Sequence, residues 1–120
     1  MSEAQIKRAA ETIEEVTPWG RLRWKASKAL GNSQTMTVGI CEINHGCANP
    51  PHSHPNCEEV LHVLQGTIAH AIGDDQEVIM QVGDVISIPP RVRHNARNIG
   101  LETAVLAISF SSAERQTVGE

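Results

Sequence analysis

From Gly20 onward the chain alternates: over short runs apolar side chains fall on every second position, and most runs end in Gly, Pro, Asn or Asp. A period of two marks strands with one buried face, and regular turn residues between such runs mark a sandwich or barrel. The pattern predicts strands over 22–26, 34–43, 59–65, 67–72, 77–82, 85–88, 94–98 and 103–110. Gly73-Asp74-Asp75 and Gly83-Asp84 supply reversals, and Pro89-Pro90 stops a strand because neither residue can donate to a ladder. Ahead of Gly20 the pattern changes. Ile6, Ala9, Ala10, Ile13 and Val16 recur at helical intervals, which predicts either a short amphipathic helix or an arm ordered by packing on a partner. The expected organisation is therefore an N-terminal arm or helix over 1–19, an all-β body over 20–112 and a tail over 113–120, without internal repeats.

The 120 residues have room for one hydrophobic core. A net charge of -4 argues against nucleic acid or an anionic membrane as partner, since both are held largely by clustered Lys and Arg. The first residues lack an apolar h-region and no later run is long enough to span a bilayer, so a soluble cytoplasmic protein is expected. Cys41, Cys47 and Cys57 are odd in number and lack a C-x-x-C spacing, which fits reduced thiols. No Ser-His-Asp constellation, phosphate-cradling Gly loop or dinucleotide fingerprint is present, which removes triad hydrolases, nucleotide-dependent transferases and Rossmann oxidoreductases.

The stretch NPPHSHPNCEEVLHVLQG, Asn49 to Gly66, departs from the apolar pattern. It sets His52, His54, Glu58 and Glu59 directly ahead of an apolar run, where charge in a barrel interior needs compensation. Residues two apart on an extended chain face the same way, so His52 and His54 project together and form half a metal site. Glu58 or Glu59, after the Pro-Asn-Cys turn, can swing a carboxylate back toward them. His94, again opening a strand after a proline turn, is the candidate third imidazole. Three His and one Glu suit one divalent ion of iron, manganese, nickel, cobalt, copper or zinc, and an octahedral ion would keep two positions for ligand.

At these residues the sequence resembles the cupin superfamily. The first cupin motif, G-x5-H-x-H-x3-4-E-x6-G, reads from Gly46 through His52, His54 and Glu59 to Gly66; the second, G-x5-P-x-G-x2-H-x3-N, reads from Gly83 through Pro89 and His94 to Asn98. Arg91 stands where the second motif has glycine. The resemblance implies a single jelly-roll β-barrel of two packed antiparallel sheets, with His52, His54, Glu59 and His94 holding a metal at one end. Spacing selects Glu59 over Glu58, because Glu59 leaves six residues before Gly66 and puts Leu61 and Val63 on the ligand-facing side. Such barrels commonly pair and exchange N-terminal strands, so a homodimer is expected.

The remaining polar residues are read by parity. With His94 inward, Ala96 and Asn98 share its face and Arg93, Asn95 and Arg97 point out, leaving Arg91 as the one arginine of that cluster able to reach the pocket. His62 and His70 read as hydrogen-bonded strand or interface residues, and Trp19 and Trp24 as core or interface. Cys41, Cys47, Cys57 and His45 are too unevenly spaced for a zinc site and read as packing residues. The chain has no tyrosine, so proton transfer falls to water at the metal or to Glu59. These features favour a metal-dependent enzyme acting on a small oxygenated molecule, with oxygenase (dioxygenase) or isomerase chemistry. The alternative is a non-catalytic binding or sensing barrel.

Overall fold

The computed structural model describes residues 3–119. Eleven strands follow in chain order: β1 (Ile13–Thr17), β2 (Gly20–Ala26), β3 (Thr37–Ile43), β4 (His52–Ser53), β5 (Glu59–Gln65), β6 (Ile68–Ile72), β7 (Gln76–Met80), β8 (Val85–Ile88), β9 (His94–Asn98), β10 (Ala104–Phe110) and β11 (Val118–Gly119). They form a six-stranded sheet in the order β1-β2-β3-β10-β5-β8 and a five-stranded sheet in the order β11-β4-β9-β6-β7. All pairings are antiparallel. Two such sheets, each burying alternate residues, are the expected all-β architecture.

The inner face of the larger sheet is mostly carbon. Cys41 and Ile43 on β3, Leu61 and Val63 on β5, and Leu106, Ile108 and Phe110 on β10 are all buried. Their register stacks them in rows: Leu106 lies opposite Cys41 and Val63, Ile108 opposite Leu61, and Phe110 opposite Glu59. Each fully buried branched side chain contributes roughly 2 kcal/mol. Gly39 extends this face by what it lacks. It pairs with Trp24 across the ladder, and a Cβ at position 39 would stand 2.7 Å from an indole carbon. Without that Cβ the indole closes over β3 and reaches Phe110, ring centroids 6.2 Å apart.

The smaller sheet carries polar groups on its inner face. On β9, His94, Ala96 and Asn98 are buried while Arg97 is exposed and Asn95 is half-buried, as parity predicts. Asn98 is a structural tie, donating from Nδ2 to the carbonyls of Ile43 (2.9 Å) and Glu102 (2.8 Å) and accepting from Gly100 N–H (2.9 Å). It thereby links the sheets with no polar atom left over.

The N-terminal helix does not form. A short 3-10 turn at Ala9–Glu11 precedes β1, which pairs with β2 from Ile13↔Trp24 to Thr17↔Gly20. The helical spacing had no surface to bury, since Ile13 and Val16 remain exposed, and the β-branched Thr12, Ile13, Val16 and Thr17 favour an extended chain. Pro18 and Trp19 close the hairpin, and Arg21 on β2 bridges Glu14 on β1 (3.0 Å) and Glu42 on β3 (2.8 Å). The C-terminal segment also joins the fold: Val118 and Gly119 pair with Ser53 and His52. Both β4 and β11 are two residues long, too short to show a period in sequence. The predicted strand over 34–43 starts later, at Thr37. Among the described residues no helix is long and apolar enough to cross a membrane.

Candidate metal centre

The barrel brings His52, His54, Glu59 and His94 together, with one ligand atom from each lying within 4.8 Å of all the others. Three strands do this. His52 on β4 pairs directly with His94 on β9, His54 follows two residues on, and Glu59 opens β5 in the opposite sheet. His54, Glu59 and His94 are buried, and His52 is half-buried at the rim. Glu58, the alternative acid, is exposed.

Hydrogen bonds fix the imidazoles. Nδ1 of His52 lies 2.7 Å from the Pro50 carbonyl, that of His94 2.8 Å from the Val92 carbonyl, and that of His54 3.0 Å from the Gln116 carbonyl. Each carbonyl can only accept, so each Nδ1 donates and, in the neutral ring, Nε2 presents a lone pair. Glu59 Oε1 lies 2.9 Å from His94 Nε2 and 3.2 Å from His54 Nε2. Three lone pairs and a carboxylate thus face one point, and acceptors so arranged need a proton or a cation between them. The mixed nitrogen and oxygen set suits a divalent transition ion, and the outward carbonyl contacts are the orienting shell such ligands use.

The electrostatics agree with that demand. Burial pushes the Glu59 carboxyl up, but the adjacent imidazoles of His54 and His94 outweigh it and hold it down at about 2. Burial pulls His94 down, and the Glu59 carboxylate with the Val92 carbonyl reverses this, leaving the ring raised. His52 is lowered to about 4, first by burial and then by the neighbouring imidazoles, against the Pro50 carbonyl. A metal ion held by these groups would take the place of a proton between His94 and Glu59.

Beside the cluster lies a cavity of about 380 Å³. Its walls are Trp19, Leu22, Trp24, Leu106, Ile108 and Phe110, and His52, His54 and Glu59 form one end. Arg115 also lines it, with its guanidinium carbon 4.2 Å from the Trp24 ring centroid and 5.2 Å from that of Phe110. Both tryptophans therefore serve the cavity as well as the core. Arg115 gave no sequence signal, because it lies past the last periodic strand.

Two sequence readings are corrected. Arg91 is exposed and is absent from the cavity wall; it acts through its backbone, whose N–H donates to the His54 carbonyl at 3.0 Å. It holds φ at 69°, the left-handed region that the motif glycine would adopt without strain. His70 is buried, yet neither ring nitrogen makes a hydrogen bond among the described residues. Instead it stacks on His94, centroids 5.7 Å apart and planes 12° from parallel. His62 is half-buried on β5, and the three cysteines are free.

A family model described as Cupin domain matches residues 39–110. Germin-like protein 1-4 of Oryza sativa subsp. japonica is 32% identical over 90 residues, covering 65% of this chain and 38% of its own length. The chain thus spans well under half of this relative. Among solved structures, the formate complex of Lactobacillus farciminis oxalate decarboxylase superposes with a TM-score of 0.83 at 24% identity, covering 92% of this chain and 34% of that one. Bacillus subtilis oxalate decarboxylase, a protein with Mn(II) centres, superposes with a TM-score of 0.84 at 22% identity, covering 93% and 31%. At such identities these likenesses speak for the fold. With the two-sheet fold in place and the family match spanning residues 39–110, the chain belongs to the cupin family.

Proposed function

We propose that this cupin holds one divalent transition metal through His52, His54, Glu59 and His94 and is a metal-dependent enzyme acting on a small oxygenated organic molecule. Oxygenase or isomerase chemistry is the reading we favour, and decarboxylation, the activity named for the structural neighbours, belongs in the same tests. The observation that carries the proposal is the convergence of four ligand atoms within 4.8 Å at the end of an apolar cavity. A bound ion would supply Lewis acidity and open coordination positions for ligand oxygens. The chain's own part is to orient the ligands and keep water from the apolar wall, and proton transfer falls to the Glu59 carboxylate when it is released from the ligand set. Glu59 is the candidate catalytic group.

One observation favours a second reading. The cavity has few proton-transfer groups beyond the ligand set, and the chain contains no tyrosine, which fits a barrel that binds and senses a small ligand without turnover. Elemental analysis of protein purified without added metal, mass spectrometry of co-purified ligand, and assays of dioxygen uptake and solvent-proton exchange test both. Metal with turnover supports the enzyme, metal with ligand and no turnover the binding barrel, and absence of metal overturns the shared premise.

We also propose a homodimer in a reducing cytoplasm. Edge strand β1 with exposed Ile13 and Val16 supports the first, and free Cys41, Cys47 and Cys57 the second. Light scattering that returns the monomer mass would contradict the dimer.

A further inference from the structure

Among the described residues Arg115 is the one Lys or Arg lining the cavity beside the candidate metal cluster, and its surroundings do not account for its charge. It is half-buried, and none of its nitrogens lies within ion-pair distance of a carboxylate among the described residues. The acids on the cavity wall are Glu59, which faces the imidazoles, and Glu15, which accepts a hydrogen bond from the Trp24 indole at 3.4 Å. Of the five guanidinium N–H donors, one is used among the described residues, from Nη1 to Thr117 Oγ1 at 2.5 Å. The ring faces of Trp24 and Phe110 compensate part of the charge and leave the rest of the fork without an acceptor.

The segment that carries Arg115 is fixed at several points. Asn56 clasps it, donating to the Glu114 carbonyl (3.0 Å) and accepting from Gln116 N–H (2.8 Å), while Lys28 N–H donates to the Ala113 carbonyl (3.0 Å). Beyond it, β11 pairs with β4, and the Gln116 carbonyl receives the Nδ1 proton of the ligand His54. The strap that orients a metal ligand therefore also sets the guanidinium in the cavity wall before any ligand arrives, which lowers the ordering cost of binding.

We infer that Arg115 is a specificity-determining residue that selects a small organic acid: the ligand's carboxylate pairs with the guanidinium, its flat apolar body lies against Trp24 and Leu22, and a second oxygen function reaches the His52, His54, Glu59 and His94 cluster. A planar carboxylate matches the free fork, and a charged group in an apolar wall gains most from an ionic partner. The inference rests on the metal-site reading of the proposed function and deepens it to a substrate class.

The test uses the full chain loaded with Co(II) and two probe pairs: 3,4-dihydroxybenzoate and 3-(3,4-dihydroxyphenyl)propanoate, each with its methyl ester. All four offer the metal the same two hydroxyls and differ at the far end. Affinities come from calorimetry and from the Co(II) visible spectrum. At least one acid is expected to bind about tenfold or more tighter than its ester, the scale of a charge-assisted hydrogen bond. That ratio should fall to near one in Arg115→Gln and be kept in part by Arg115→Lys, with the Co(II) to protein ratio unchanged. Acids and esters binding alike in the unaltered chain, no binding of either acid, or an undiminished ratio in Arg115→Gln would each overturn the inference while leaving the metal site standing. Because the acid to ester comparison is made on the unaltered chain, it holds even if a variant fails to fold. A chain that takes up no Co(II) would instead overturn the metal-site reading itself.

Discussion

The two sheets of the barrel share one apolar core but differ in the polar groups they add to it. The larger sheet offers Cys41, Ile43, Leu61, Val63, Leu106, Ile108 and Phe110, with Glu59 as its buried acid. The smaller sheet, with the residue that follows β4, offers His52, His54, His70, His94 and Asn98. Carbon on both faces holds the fold together, with Ile68, Met80 and Ala96 as the smaller sheet's share; the histidines are added to one sheet only, and Glu59 is the point where they meet the other. The difference separates the added histidines from the shared core, so substitutions in each should read out differently.

The largest effect is expected on the carbon side. Leu106 is fully buried between Cys41 and Val63, and Leu106→Ala should destabilise the protein by about 2–5 kcal/mol in denaturant titrations, the range for a large-to-small core change. Metal stoichiometry of the folded fraction should not change. A loss of metal with no loss of stability would invert the comparison.

Next comes the junction. Glu59→Gln replaces the one carboxylate in the ligand set with a neutral amide and should weaken metal binding by more than about 100-fold, a conservative floor given that altering only an outer partner costs about 10–100-fold. Competition with a chelator measures it, and undiminished affinity would contradict the account.

The nitrogen side should show itself in the pH dependence of the metal-free protein. His52 and His70 are both held down at about 4, chiefly by burial, against an ordinary value of 6.5. Between those limits the unfolded chain binds more protons than the folded one, so stability should fall as pH drops from about 6.5 toward 4. His94 has the opposite sign: its folded value is raised, so its contribution is present below 6.5 and lost as pH rises through that folded value. Glu59, held at about 2, loses its contribution only as pH falls from about 4.5 toward that value. Thermal melts should therefore give a lower Tm at pH 5 than at pH 6.5, and His70→Leu should narrow the gap. At neutral pH the same variant removes two unpaired nitrogens and should stabilise the metal-free protein by about 1 kcal/mol. A destabilisation of that size would show that His70 has a partner the stacking on His94 does not reveal.

The smallest effect is expected at Arg91. A non-glycine residue in the left-handed region costs about 1–2 kcal/mol, part of which glycine gives back through the freer unfolded chain. Arg91→Gly should thus raise stability by about 0.5–1 kcal/mol with no change in metal affinity, checked by paired denaturant curves. A weakened metal site would show that the arginine side chain, and not only its N–H to His54, takes part.

Much of this design is visible in the chain itself, and the reasons differ by region. Period-two runs on β3, β5, β9 and β10 were legible because one face of each is buried, and the clustering of His52, His54, Glu59 and His94 because a candidate metal set needs those residue types at fixed spacing. The first strand left both a helix and an arm open because Ile13 and Val16 are spaced like a helix stripe but bury nothing, so hydrophobic period carried no information there. The short β4 and β11 leave no period to read. Arg115 was invisible for a deeper reason: its place in the cavity depends on the Asn56 clasp and on pairing between segments some sixty residues apart, which no local pattern encodes.

The most direct test of the metal centre is X-ray absorption at the metal edge of the full chain carrying one equivalent of Co(II). A first shell of nitrogen and oxygen with the outer scattering of three imidazoles, at one ion per chain, is the predicted result. A spectrum of the hydrated ion, or one dominated by cysteine sulfur, would contradict it.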